Sequence, residues 1–317
     1  MRSLIRSALI SLSISLLGAA LVPILAVPVP QGRDGGLYTI AVDVDMVVFN
    51  VTVTDGSGRH VSGLRANDFA VHEENRLQNI KVFNAEDGPA SVGLIIDNSG
   101  SMRAKRADVV NAALVFAAGS RPEDEIFVVN FNENVYLGLP PSIQFTNDFD
   151  EIRSALFGSA PDGMTALYDA LAAGIEHLKT GTRDRKALVV LSDGGDNASR
   201  RRLDEVLEIA QRSSATIYTV GIYEEADPDR NPGVLRRIAK LSGGSAYFPA
   251  SLNDLNRVWR EIASGIRNQY TIGYLSDNAV RDGKYRKVKI TASRNGRSLR
   301  VMTRDGYFAP SGGSIPK

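Results

Sequence analysis

The sequence predicts an α/β fold with a doubly wound, mostly parallel sheet, joined to a small β-sandwich-like domain assembled from the N- and C-terminal segments. Three observations carry this. Continuous apolar runs at 92–96 and 187–191 read as central strands buried on both faces. Between 91 and 267 such runs alternate with amphipathic helical stretches, the order that gives a parallel sheet. On either side, at 38–84 and 268–310, the texture changes to short strands of period two separated by turns. A chain of 317 residues with 43% hydrophobic content suffices for one large domain and one small one.

The first thirty residues are a different material. Arg2 and Arg6 precede an apolar stretch over 8–22, followed by Pro23, Pro28 and Pro30, the organisation of a secretory signal. Gly18-Ala19-Ala20 and Ile24-Leu25-Ala26 both offer cleavage ends, and the stretch extended to Val29 is long enough for an uncleaved membrane anchor. Residues 1–30 therefore read as signal peptide or anchor, and the protein as exported: periplasmic, in the cell envelope or secreted. The chain has no cysteine, which excludes disulfides and lipid attachment through an N-terminal Cys, and His60, His72 and His177 fall in no zinc-ligand spacing. A formal net charge of +1 with interspersed charges gives no basic face for nucleic acid. The one compact basic run, Arg200-Arg201-Arg202, reads as a solvated face at a helix start.

In the N-terminal β segment, Val42, Val44 and Met46 alternate, and Val51 and Val53 resume the alternation after a slip at Val47-Val48 that predicts a bulge. Asp55-Gly56-Ser57-Gly58 closes the run; Phe69 with Val71 and Ile80 with Val82 form two more strands before a linker at 86–89. The α/β unit then reads as strand 91–97, helix 102–118, strand 125–131, a return strand 134–139 across the tight turn Asn132-Glu133-Asn134, and helices 149–157 and 165–178. Strand 187–192, helix 201–212, strand 215–221, helix 232–242, strand 245–248 and helix 252–267 complete it. Beyond it, Tyr270, Ile272 and Tyr274, then Val288 and Ile290, then Leu299 and Val301 mark strands, with Asp282-Gly283 and Asn295-Gly296 as turns. If the two ends pair in one sandwich, Val51 and Val53 face Val288 and Ile290 across its core.

Chemistry concentrates at Asp97-Asn98-Ser99-Gly100-Ser101, at the carboxyl end of the first apolar run, where open α/β sheets bind ligands. One carboxylate and two hydroxyls at alternate positions offer the hard oxygens that magnesium or calcium takes; the same residues taken alone also suit a turn and helix cap. Thr165 at the entrance of a later helix, and Asp193 after the second apolar run, add oxygen at the same sheet edge.

Asp-x-Ser-x-Ser after a first strand, a Thr about 65 residues on and an Asp-Gly after the next buried strand resemble a von Willebrand factor type A domain over 91–266, a Rossmann-type fold. The resemblance implies a metal-ion-dependent adhesion site. Its ligands would be Asp97, Ser99, Ser101, Thr165 and Asp193, its cation Mg2+ with Mn2+ or Ca2+ as substitutes. A partner protein's Asp or Glu carboxylate would complete the shell, binding without bond breaking and so without enzymatic activity. Asp162 and Asp196, close by in sequence, read as structural turn residues. A competing reading is a metal-dependent phosphoryl-transfer enzyme or other hydrolase using Asp97, against which stands Ser99 where a second carboxylate is often needed. A third is a structural envelope scaffold. The membrane enters only through an N-terminal anchor.

Overall fold

The computed structural model describes residues 46–85, 87–158, 161–223 and 230–312. The expected signal or anchor at 1–30 and the strand residues Val42 and Val44 lie outside them. No helix among the described residues is long and apolar enough to cross a membrane. In chain order the strands are β1 (Met46–Thr54), β2 (Phe69–Glu73), β3 (Arg76–Gln78), β4 (Ile80–Asn84), β5 (Ala90–Asp97), β6 (Glu125–Phe131), β7 (Val135–Leu137), β8 (Arg185–Ser192), β9 (Thr216–Gly221), β10 (Ala246–Tyr247), β11 (Gln269–Leu275), β12 (Tyr285–Arg294), β13 (Arg297–Met302) and β14 (Gly306–Phe308). The helices are α1 (Arg106–Ala118), α2 (Phe149–Phe157), α3 (Leu167–Leu178), α4 (Leu203–Arg212), α5 (Pro232–Ser242) and α6 (Leu252–Arg267).

Six strands form a sheet in the order β10-β9-β8-β5-β6-β7, parallel throughout except for the edge strand β7. Every residue of β5 is buried, as its unbroken apolar sequence requires of a strand covered on both faces. The helices fall into two packed sets, α6-α1-α2 and α3-α4-α5, with the sheet between. From β5 the chain moves to β6 on one side, then returns to β8 on the other. The strand order thus reverses between β5 and β8, and a crevice opens at their carboxyl ends.

The second sheet takes strands from both ends of the chain. Its order is β3-β2-β12-β13-β1-β11-β4, with β14 on the far end of β12, and all pairs are antiparallel. It is one continuous sheet folded over its own core, not two stacked sheets. The corner is β13, where Arg297–Leu299 pair with β12 while Arg300–Met302 pair with β1. Val51, Val53, Val288 and Ile290 share that core with Phe49, Tyr270, Ile272 and Tyr274.

Four expectations need correction. No bulge occurs at Val47-Val48: β1 keeps register from Met46 to Thr52 against β11, with Val47, Phe49, Val51 and Val53 inward and Met46 and Val48 outward. The irregularity lies on the far side of β11, between Gly273 and Tyr274. The helix expected from 102 begins as a 3-10 turn, Gly100–Lys105, and becomes α-helical only at Arg106. Helix α3 starts at Leu167 rather than 165, because Thr165 O is taken by the N–H groups of Asn197 and Ala198, and Ala166, at φ −108° and ψ 59°, is not helical. Two short strands, β3 and β14, were not expected; β3 follows a turn in which Glu74 and Asn75 both adopt positive φ.

Gly93 shows how tightly the central sheet is filled. Its register partners are Phe127 on β6 and Leu188 on β8, and a Cβ at this position would lie 2.3 Å from Phe127 Cζ and 2.5 Å from Leu188 Cδ2. Both neighbours are buried, so neither has room to withdraw. Gly93→Ala should destabilise the protein by about 1–3 kcal/mol, seen as a lower urea midpoint at unchanged slope; an unchanged midpoint would show that the sheet is looser than described.

Candidate functional site

Strands β5 and β8 lie side by side in parallel, so Asp97, which ends β5, and Asp193, one residue past β8, meet at the crevice. Both carboxylates are buried. Asp97 accepts from the Ser99 N–H at 2.9 Å through Oδ1 and from the Ser192 hydroxyl at 2.6 Å through Oδ2. Asp193 accepts from the Gly195 N–H at 2.9 Å through Oδ1 and from the Ser101 hydroxyl at 2.7 Å through Oδ2. The Ser99 and Ser101 hydroxyls are 3.1 Å apart. Four of the five predicted residues are thus joined in one hydrogen-bonded group.

Thr165 reaches the same edge through backbone contacts. Asp162 N donates to Asn98 O at 2.9 Å and Gly100 N to Gly163 O at 3.0 Å, tying the 161–166 loop to the loop after β5. Thr165 N donates to Asn197 Oδ1 at 2.8 Å, and Thr165 O receives the N–H groups of Asn197 and Ala198 at 2.9 and 3.0 Å. Gly163 is required here: its φ is +79°, and a Cβ would overlap the Glu133 carboxylate that binds Met164 N at 3.0 Å.

Ser192 escaped the sequence reading, although its position before Asp193 at the end of a buried strand was the available signal. Asp162 is exposed and ion-paired with Arg103 at 3.1 Å. Asp196 accepts the N–H groups of Tyr168 and Ser199. Of the basic run, Arg201 pairs with Asp169 and Arg202 with Asp204. His177 packs between Phe127 and Phe145 and is hydrogen-bonded to Gln144 O, away from the crevice.

Burial pushes the Asp97 carboxyl from 3.8 up to about 6; the neighbouring Asp193 adds to the rise, while hydrogen bonds from Ser192 and Ser99 oppose it. Ionising Asp97 in the folded protein therefore opposes folding by about 3 kcal/mol. The native state holds this proton more tightly than the unfolded chain does. The penalty is absent below about pH 4, grows as pH rises, and is complete above about pH 6.

The donor set fits a small divalent cation. Among the described residues no three of His, Cys, Asp and Glu cluster together, so hydroxyls and water would fill most positions around the two carboxylates. An octahedron with metal–oxygen distances of about 2.1 Å has edges of about 3.0 Å. The Ser99 to Ser101 and Ser101 to Asp193 oxygen separations, 3.1 and 2.7 Å, bracket that length.

Residues 92–195 match the von Willebrand factor type A domain family. It is 28% identical over 204 residues to a UPF0353 protein of Mycolicibacterium paratuberculosis, covering 56% of this chain and 61% of that one. It is 24% identical over 183 residues to the protein sll0103 of Synechocystis, covering 57% and 42%. The matches thus span less than two thirds of these relatives' length. Among solved structures it resembles the von Willebrand factor type A protein from Catenulispora acidiphila, with a TM-score of 0.52, 16% identity, and coverage of 86% of this chain and 74% of that one. That likeness shows the fold.

Asp97→Asn keeps the shape of the side chain and discards its charge. In EDTA at pH 7 this variant should be more stable than the wild type by about 1–2 kcal/mol, with the gap closing towards pH 4. Scanning calorimetry across pH checks this. A wild type that is the more stable at pH 7 would contradict the buried-charge penalty.

Proposed function

We propose that this chain is an exported, metal-dependent protein-binding module. Asp97, Ser99, Ser101, Thr165 and Asp193 hold a divalent cation, Mg2+ by default with Mn2+ or Ca2+ as alternatives, and an Asp or Glu carboxylate of a partner protein docks against it. The observation that carries the reading is the pair of buried carboxylates on adjacent strands, linked by serine hydroxyls at polyhedral spacing. A bound cation would supply the positive charge that this pair lacks and a coordination position for an incoming carboxylate. The chain's own residues set the geometry: Ser192 and the Ser99 N–H orient Asp97, and the Gly195 N–H orients Asp193.

Binding is favoured over hydrolysis by what surrounds the hydroxyls. The hydrogen-bond partners of Asp97, Ser99, Ser101 and Asp193 are other hydroxyls, carboxylates and backbone N–H groups, so neither serine is paired with an imidazole or amine base. Export rests on the basic, apolar and proline-bearing order of residues 1–30.

Magnesium at 100 times its dissociation constant should stabilise the folded protein by about 2.7 kcal/mol, and EDTA should abolish the gain. Immobilised protein should capture acidic partners from a protein array only with the cation present, and turn over no phosphate ester. Phosphatase activity that depends on Asp97 would sink the binding reading. Thr165→Ala should weaken metal-dependent capture several-fold, whereas Thr180→Ala, which removes a hydroxyl bonded to His177 O beyond the far end of α3, should leave it unchanged. Equal losses would make Thr165 a structural residue only.

A further inference from the structure

Asn98 lies between two of the proposed ligands, yet it faces away from them and is fully buried. All its hydrogen-bonding groups are engaged. Its N–H donates to Phe131 O at 2.7 Å, its carbonyl accepts from Asp162 N at 2.9 Å, and its Nδ2 donates to Asn130 Oδ1 at 3.1 Å. Its Oδ1 accepts from the guanidinium of Arg106. Arg106 stands on the first turn of α1 and also donates to Leu156 O, while Asn130 Nδ2 donates to Ala155 O at 2.9 Å. Leu156 and Ala155 belong to the last turn of α2, whose carbonyls have no partners within the helix. One guanidinium and two buried amides therefore connect the back of the donor loop to the end of α2.

Resting on the metal reading above, we propose that Arg106 is a positioning residue for that site. Its planar fork spans two acceptors, Asn98 Oδ1 and Leu156 O, that are fixed to different elements. Because side chains alternate along an extended segment, fixing Asn98 on one side fixes Asp97 and Ser99 on the other. Loss of the fork removes the tie between Asn98 Oδ1 and the end of α2 and leaves its amide held from one side, by Asn130, so that the carboxylate and hydroxyl beside it are less well ordered before a cation binds. A lysine reaches one acceptor at a time and restores only part of the constraint.

The test is magnesium affinity measured by calorimetric titration of the full chain as wild type, Arg106→Met, Asn98→Ala and the double variant. Each single variant should weaken affinity about tenfold, and the double variant should be no weaker than either, because all three lose the same link. A purely structural Arg106 would lower the melting temperature and leave affinity alone. Affinity within twofold of wild type in folded Arg106→Met, or losses that add in the double variant, would overturn the inference. If Arg106→Met does not fold, Arg106→Lys takes its place, with an intermediate loss expected and none overturning the proposal. A wild type that binds no divalent ion would overturn the metal reading itself, and this inference with it.

Discussion

Two carboxylates at the ends of neighbouring parallel strands repel one another in a place from which water has been excluded. Burial does most of the harm: ionising Asp97 there opposes folding by about 3 kcal/mol, and the nearby Asp193 adds to the cost. The surroundings of Asp97 and Asp193 answer that repulsion with donors: two serine hydroxyls and two backbone N–H groups. The chain bends to supply them. Gly194 takes φ +88° with Asn231 O so close that a Cβ would lie 2.5 Å from it, and the segment after Asp97 winds as a 3-10 turn before α1 can begin. Neutral donors only partly offset the charge, and Asp97 keeps a raised pKa of about 6. In the proposed function, a bound cation supplies the positive charge that these donors lack.

At their other ends these strands are tied to the antiparallel sheet by charged and polar side chains. Strand β8, which carries Ser192 at its end, begins at Arg185, a nearly buried cation that donates to Gly88 O and Gln269 O. These carbonyls lie on the two chain segments that join the α/β sheet to the antiparallel one, so one guanidinium holds both crossings together. Gln269 then donates to Thr216 and Tyr218 at the base of β9. Arg304, stacked 4.7 Å from the Phe49 ring, links Ser213 O after α4 to Val48 O on β1. The antiparallel sheet is fastened to the end of the α/β sheet opposite the crevice, leaving the carboxyl edge free.

Much of this was legible in the sequence because the signals were local. Continuous apolar runs located β5 and β8, and their terminal aspartates located the crevice, since a strand buried on both faces has nowhere but its end to place a charge. The Asn295-Gly296 turn followed from residue chemistry alone, and both positions have positive φ. The misreadings involve information that is not local. Counting forward from Val42 put Val47 and Val48 out of phase, whereas counting back from Val51 and Val53 gives the inward set; only pairing with β11 decides between them. The single folded-over sheet depends on β13 changing partners mid-strand, which no pattern within six residues records. Ser192 and Arg106 matter through partners 95 and 50 residues distant.

The carboxylate pair and its hydroxyls are proposed to form one cation site. Anomalous diffraction from crystals grown with manganese tests it most directly. A single strong peak is expected in the crevice between Asp97 and Asp193, within direct ligand distance, about 2.2 Å, of the Ser99 and Ser101 hydroxyl oxygens. A map with no peak there, with the Ser101 hydroxyl still bonded to Asp193 at saturating manganese, would contradict it.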